Sequence, residues 1–253
     1  MILGTPYVRG LLRYLVPAQS DCDSVERQVE VMSVRDGYRL WASTYAAETA
    51  ASALDEQLAQ QMLKGLPHTR LLDAGCGIGK RIQTVPNSIG LDLSPEMIAA
   101  AKCQNIVLGD VRQMPFGSDE FDMVWCRLVL GHIAAPLLAY RELFRVCAPG
   151  GYLYITDFHS DAVRAGHRRT ITGEGAKLYA LEHYVHRNHI ELAMQAGFVP
   201  VRRCCGRVGP SIRRFYAEGI GMRRYWWDYG MNIVDAMLFR KPAKCYDIRM
   251  TII

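Results

Sequence analysis

The residues with the clearest chemical potential lie in Arg70-Leu-Leu-Asp-Ala-Gly-Cys-Gly-Ile-Gly79, an apolar run ending in an acid and then three glycines at alternate positions. Glycines so spaced let the chain turn sharply out of a strand and bring a ligand against the backbone, where a Cβ would obstruct it. A helix after such a loop offers free N–H groups to an anion. The spacing Gly75, Gly77, Gly79 differs from the dinucleotide fingerprint, and Asp73 sits in the strand end before the first glycine. A carboxylate there repels a pyrophosphate and suits a cationic ligand, so the stretch reads as a loop for a nucleoside.

This run resembles the first strand and glycine loop of the class I S-adenosylmethionine-dependent methyltransferases, and further pieces follow in the order that the resemblance demands. Ser88-Ile-Gly-Leu-Asp92 reads as a short second strand whose terminal acid, Asp92, can accept both ribose hydroxyls. Ser94 is the expected N-cap, with Pro95 at the first helical position and Glu96 favouring the dipole, of a helix running to about Lys102. Asn105 to Asp110 reads as a third strand, and the resemblance makes Asp110 and the amide of Val111 the adenine-binding pair. It also implies Cys76, Leu93, Met97, Cys126 and Arg127 as residues on the cofactor side. A fourth strand ends at Cys126, a largely helical stretch runs from His132 to Val146, and Tyr152 to Asp157 is the fifth strand. The match covers residues 70 to 157.

Within the class, Met114-Pro115-Phe116 and His132-Ile133 are most like the quinone-biosynthesis type of small-molecule methyltransferase. The run from Gly37 to Tyr45 is similar to the Tyr-x-x-Trp-Ala-x-x-Tyr segment that such enzymes place over the cofactor, which puts Tyr38 among the cofactor-binding residues. Two departures stand out: Ala46 where an Asp is common, and a shortened stretch from Arg81 to Ile89 with room for one or two helical turns. Lys80 at its start either pairs with the methionine carboxylate of the cofactor or is an exposed, solvated lysine.

The implied cofactor is S-adenosyl-L-methionine, with S-adenosyl-L-homocysteine as product. Methyl transfer from a sulfonium needs the acceptor atom in line with the S–CH₃ bond, and proximity and desolvation supply much of the rate. A fixed base is therefore optional. Where the acceptor must lose a proton, His132 and His159 are the candidates, since both follow strand ends where ligands bind in such sheets. Capping a helix or filling the pocket is the competing role for each. Tyr38, Trp41 and Tyr45 can shield the sulfonium, with core packing as the plainer role for Trp41.

The acceptor class is narrowed by what is missing. Val124-Trp-Cys-Arg127 lacks an Asn/Asp-Pro-Pro-aromatic signature, and Cys126 is preceded by Trp rather than Pro, so neither base-amine nor cytosine C5 methylation is supported. A small organic acceptor, methylated at O, N or C by direct displacement, is the leading expectation. An RNA-modifying enzyme and a cofactor-binding module without transfer are the alternatives.

With 253 residues, 50% hydrophobic and 22% charged, the chain suits one main domain. It holds no run of eighteen apolar residues and opens without a charged, apolar leader, so no membrane span and a cytoplasmic location are expected. Cys76, Cys126 and Cys147, of eight cysteines, sit where the core demands them, and no C-x-x-C occurs, which points to a reducing compartment without a zinc ribbon. His183, His186 and His189 are spaced in threes, a step that drifts around a helix, so no metal site is expected.

Residues 201 to 253 carry eleven Lys and Arg against four Asp and Glu. Arg202-Arg203, Arg213-Arg214 and Arg223-Arg224 alternate there with Phe215, Tyr216, Tyr225, Trp226, Trp227 and Tyr229. Solvated arginines or a subunit contact in a homo-oligomer rank first, an acceptor wall second and nucleic acid third. Adjacent indoles such as Trp226 and Trp227 are not expected both to face solvent.

The expected fold is α/β, a Rossmann-like three-layer sandwich with a mainly parallel seven-stranded sheet and, by the resemblance, an antiparallel last strand. Residues 1–65 form a helical cover on a core of 66–253 with acceptor-side insertions around 159–185 and 207–230. His186 to Gln195 reads as a helix capped by Gly197, Phe198 to Arg202 as the sixth strand and Asn232 to Arg240 as the seventh.

Overall fold

The computed structural model describes residues 30–42, 45, 48–172 and 178–243, so the expectations for residues 1–29 and for Ala46 lie outside the described residues. The chain opens with β1 (Glu30–Met32), α1 (Val34–Trp41) and α2 (Ala50–Met62). Thr49 and Ser52 begin α2 with a reciprocal capping box, the hydroxyl of each accepting the other's backbone N–H.

The central sheet is built from β2 (Leu71–Ala74), β3 (Ser88–Asp92), β4 (Ile106–Leu108), β5 (Phe121–Arg127), β6 (Cys147–Phe158), β9 (Val199–Arg207) and β10 (Asn232–Arg240). The strand order is β4-β3-β2-β5-β6-β10-β9. The first five pair in parallel, and β10 runs antiparallel between β6 and β9. Seven strands with an antiparallel last member match the expected sandwich. A second, three-stranded sheet joins β1, β8 (Leu178–Leu181) and β7 (Thr170–Thr172), so part of the expected insertion pairs with the N-terminal cover.

Side chains alternate across the sheet and divide the core in two, as strand geometry requires. Leu71, Met123, Trp125, Tyr154 and Leu238 face Leu54, Leu58 and Met62 of α2. Leu72, Val124, Cys126, Leu153 and Met237 face the opposite layer, made by α4 (Leu137–Val146) and α6 (His189–Ala196). The helix Ala50–Met62, expected as cover, is thus a packed layer of the sandwich.

Two local expectations are corrected. Among the described residues no helix follows the glycine loop. Only single turns form there, closed by Ile82 N–H to Gly79 C=O at 3.1 Å and Val85 N–H to Ile82 C=O at 3.2 Å. Pro86 and a left-handed Asn87 (φ 52°) deliver the chain straight into β3. The stretch expected to be helical from His132 begins as a helix only at Leu137, after a short 3₁₀ turn at Leu130–His132 and Pro136. Of the tail, Trp226 and Trp227 are 50% and 56% exposed, so both indoles do face solvent. Arg203, Arg214 and Arg224 pair with Asp235, Glu48 and Asp228, which accounts for half of the paired arginines of the tail as ordinary ion pairs.

Candidate active site at the carboxyl edge of the sheet

The strand order reverses at β2 and β5, and in open α/β sheets ligands bind outside the carboxyl ends of the strands at such a point. Asp73, next to last in β2, lies there fully buried, with neither carboxylate oxygen hydrogen-bonded; Arg81 Nη1 stands 4.0 Å away. Burial pushes its carboxyl up from the usual range, against the pull of Arg81. Gly75 N–H and Cys76 N–H both donate to Leu91 C=O, at 2.7 and 3.0 Å, which ties the loop to β3. Gly77 N–H donates to Asp92 Oδ2 at 2.6 Å and Ser94 N–H to Asp92 Oδ1 at 2.9 Å. Each Asp92 oxygen keeps a second lone pair, so the acid is both oriented and still able to accept.

Gly75 (φ 84°) and Gly77 (φ 58°) occupy left-handed backbone, and the space beside each is used. A Cβ on Gly75 would lie 2.3 Å from Val129 Cγ2, and one on Gly77 3.1 Å from the Tyr45 ring. Tyr45 therefore lies on the loop. Its ring packs against Trp41 (4.8 Å between centroids) and Tyr38 (6.0 Å), an aromatic cover carried by α1 and the turn after it.

Tyr38 reaches across to the post-β5 turn, its hydroxyl 3.1 Å from His132 Nε2, while Arg169 donates Nη1–H to the same oxygen. His132 Nδ1 is 3.0 Å from the Glu182 carbonyl, which can only accept, so Nδ1 carries the proton and Nε2 accepts from Tyr38. Burial, and next the Arg169 guanidinium, hold His132 down to about 4. Behind it stand His183, with Nε2 3.3 Å from Asp157 Oδ1, and His189, with Nε2 3.3 Å from Asp157 Oδ2 and Nδ1 2.7 Å from the Tyr140 hydroxyl. Burial would raise Asp157, but His183 and His189 outweigh it and keep its carboxyl low.

The remaining candidates are placed as follows. Leu93 is 62% exposed at the end of β3, whereas Met97 is fully buried in α3 (Pro95–Ala99). Val111 is buried, and the Asp110 carboxylate is gripped by the Arg112 guanidinium, with its Nε 3.0 Å from both oxygens. Cys76 and Cys126 are buried thiols whose ionisation burial opposes. Arg127 turns away from the edge: its Nε lies 3.2 and 3.1 Å from the two oxygens of Asp55, and its Nη2 2.9 Å from Glu56. His159 is the N-cap of α5 (Ser160–Arg164), its Nδ1 accepting the Asp161 N–H at 3.1 Å. The structure thus brings Asp73, Gly75, Cys76, Gly77, Gly79, Asp92, Tyr38 and His132 to one edge, while Arg127 and His159 have other partners.

Three contributors were not singled out from the sequence. Lys80 is exposed, and its neighbour Arg81 turns inward to bond Asp55 at 3.1 Å beside Asp73. Arg169, just before β7, and Asp157 of β6 reach the site from more than a hundred residues beyond Tyr38 and about twenty-five beyond His132.

The orphaned Asp73 carboxylate, the oriented Asp92 and the aromatic cover fit S-adenosylmethionine, whose ammonium, ribose hydroxyls and sulfonium ask for these groups. Residues 72–155 match the family model described as a methyltransferase domain. The malonyl-[acyl-carrier protein] O-methyltransferase of Herminiimonas arsenicoxydans is 40% identical over 111 residues, 41% of this chain and 42% of that protein. The 24-methylenesterol C-methyltransferase 2 of Arabidopsis thaliana is 27% identical over 197 residues, 70% of this chain and 54% of that one. An S-adenosylmethionine-dependent methyltransferase structure from Mesorhizobium loti shares the fold with a TM-score of 0.57 at 16% identity, covering 76% of this chain and 100% of that one. The chain spans less than half the length of the malonyl-[acyl-carrier protein] relatives it matches. No helix among the described residues is long and apolar enough to cross a membrane. Residues 72–155 thus carry a methyltransferase domain, and the chain is similar to the class I S-adenosylmethionine-dependent methyltransferases in sequence over that region and in fold.

Proposed function

We propose that this chain transfers a methyl group from S-adenosylmethionine to a small-molecule acceptor by direct displacement. The observation that carries the reading is the linked pair of acids at the switch point: Asp92, fixed by Gly77 N–H at 2.6 Å, and Asp73, buried without a hydrogen-bond partner. The bound cofactor supplies an electrophilic methyl on a sulfonium. Asp73 balances its ammonium, Asp92 takes its ribose hydroxyls, and the Val111 amide with Leu93 and Met97 frames its base. Tyr38, Trp41 and Tyr45 cover the glycine loop and exclude water, which favours displacement by desolvating the reacting atoms.

His132 is neutral at physiological pH, with its lone pair on Nε2 aimed at the Tyr38 hydroxyl. An acceptor that displaces this hydroxyl can give its proton to Nε2; an acceptor already anionic needs no base. His159, as a helix cap, has no such opening. The acyl-carrier-protein-linked and sterol acceptors for which the relatives are named are both organic molecules methylated at O or C, and this chain is assigned the same broad class. Incubation with cofactor carrying a labelled methyl and a panel of organic acids, thioesters and sterols tests the reading by mass spectrometry. Label in one acceptor class is the expected result, and label in none of them counts against transfer.

A further inference from the structure

Arg169 precedes β7 and turns into the site. Its guanidinium donates to the Tyr38 hydroxyl and stands 5.5 Å from the Trp41 ring centroid and 6.0 Å from that of Tyr38. Other inward-facing arginines of this structure have a carboxylate: Arg81 and Arg127 share Asp55, and Arg224 has Asp228. Among the described residues no Asp or Glu oxygen lies within 4.0 Å of the Arg169 guanidinium; its hydrogen-bond partner there is a neutral phenol. A half-buried guanidinium that faces a pocket without a carboxylate partner gains charge-assisted hydrogen bonds when an anion arrives.

The surroundings fit such an anion. Arg169 lines a pocket of about 170 Å³ with Trp41, Thr49, Phe158, His167 and the exposed Arg168, and among the described residues no Asp or Glu contributes to that lining. Asp228, buried behind the lining, is already engaged: its Oδ2 takes the lining residues His167 Nε2 at 2.7 Å and Tyr216 hydroxyl at 3.2 Å, and Arg224 Nε at 2.7 Å. Arginine's planar fork matches an oxyanion in two-point contact, and the Trp41 face gives an apolar wall for the rest of the molecule. Because Arg169 and His132 share the Tyr38 hydroxyl, a group held by Arg169 lies one phenol away from the His132 edge.

We propose that Arg169 is the specificity residue for an oxyanion, a carboxylate or a phosphate monoester, carried by the acceptor as a handle apart from the methylated atom. The proposal rests on the methyltransferase reading and names the acceptor class of that same site.

The test is calorimetric titration of the full chain saturated with S-adenosylhomocysteine, using monoethyl malonate, phenyl phosphate and the neutral diethyl malonate as probes. One or both anions are expected to bind and the diester not, and the better anion identifies carboxylate or phosphate. Arg169→Gln is expected to weaken the anion about ten- to hundredfold while shifting S-adenosylhomocysteine by less than about threefold. Arg169→Lys, which keeps the charge and loses the fork, is expected to fall between. Equal binding of diester and anion, binding of neither anion, or an anion affinity untouched by Arg169→Gln would overturn the proposal. So would a loss confined to S-adenosylhomocysteine, which would assign the guanidinium to the cofactor. Failure of S-adenosylhomocysteine to bind the wild-type chain would instead sink the methyltransferase reading, and the anion titration on the cofactor-free chain would still read the Arg169 site.

Discussion

The Tyr38 hydroxyl stands 3.1 Å from His132 Nε2 and accepts from Arg169, so a one-way chain of donors runs from guanidinium to phenol to imidazole to the Glu182 carbonyl. Every member points its proton the same way, and this fixes the His132 tautomer with Nε2 unprotonated. The chain joins α1 to the turn after β5 and to the residue just before β7, three places distant in sequence. In wild-type protein the His132 ring should titrate near 4 by NMR. Arg169→Gln removes the second cause of that depression, after burial, and should move the titration up toward the ordinary histidine value of about 6.5. An unmoved titration would show that the guanidinium does not act on the ring.

The same depression fixes a pH dependence of stability. His132 is held below its unfolded value, so between about 6.5 and about 4 the unfolded chain binds a proton that the folded chain refuses. Stability therefore falls as pH drops through this window, by up to about 1.4 kcal/mol per pH unit from this one group. Asp157, held low, adds its own loss only further into acid, below the ordinary carboxylate range. Urea unfolding at a series of pH values should show His132→Gln losing less stability than wild type from pH 7 to 5. Parallel curves would contradict the assignment.

Arg127 is predicted to serve stability rather than cofactor binding. It is 2% exposed, and its charge is met by Asp55, which also bonds Arg81 at 3.1 Å and the Thr156 hydroxyl at 2.7 Å. Burial would raise the Asp55 carboxyl, but Arg127 and Arg81 hold it low. Asp55→Ala leaves the buried Arg127 guanidinium with only the half-exposed Glu56 as counter-charge and should cost about 3 kcal/mol in denaturant unfolding. Arg127→Met should cost stability while leaving S-adenosylhomocysteine affinity within about threefold, since a charge and its partner's orientation are lost away from the loop. A variant that folds normally and loses the ligand would return Arg127 to the cofactor side.

Gly77→Ala tests the contact between loop and cover. The alanine would adopt φ 58°, a strain of roughly 1–2 kcal/mol, and its Cβ would press the Tyr45 ring at 3.1 Å. Weaker S-adenosylhomocysteine binding with a modest fall in stability is expected. Calorimetry on a folded variant with unchanged affinity would separate Tyr45 from the loop.

What the sequence made legible was local or periodic. The glycine loop and Asp92 could be read because strand, acid and turn follow one another within a few residues, and the fold then had to bring Gly77 and Asp92 together between neighbouring strands. The antiparallel β10 coincides with its expected bounds because the stretch between Asn232 and Arg240 is apolar apart from Asp235 and is held between two strands. Arg169 and Asp157 could not be read, because their partners come from separate elements and no spacing marks them. The helix expected after Gly79 failed for a local reason: Pro86 and the short path to Ser88 leave turns and no more. Without that helix, the inward Arg81 stands where helical N–H groups were expected, and Lys80 stays in solvent.

The central claim is that the edge formed by Asp73, Gly77 and Asp92 holds S-adenosylmethionine. Isothermal titration of S-adenosylhomocysteine against wild type, Asp92→Ala and Asp92→Asn tests it most directly. Saturable one-to-one binding by wild type is expected, weakened at least about tenfold in Asp92→Ala, as loss of charge-assisted hydrogen bonds requires. Asp92→Asn, which keeps one acceptor oxygen, should fall between. Absence of binding to the folded wild-type chain, or equal affinity in Asp92→Ala, would contradict the claim.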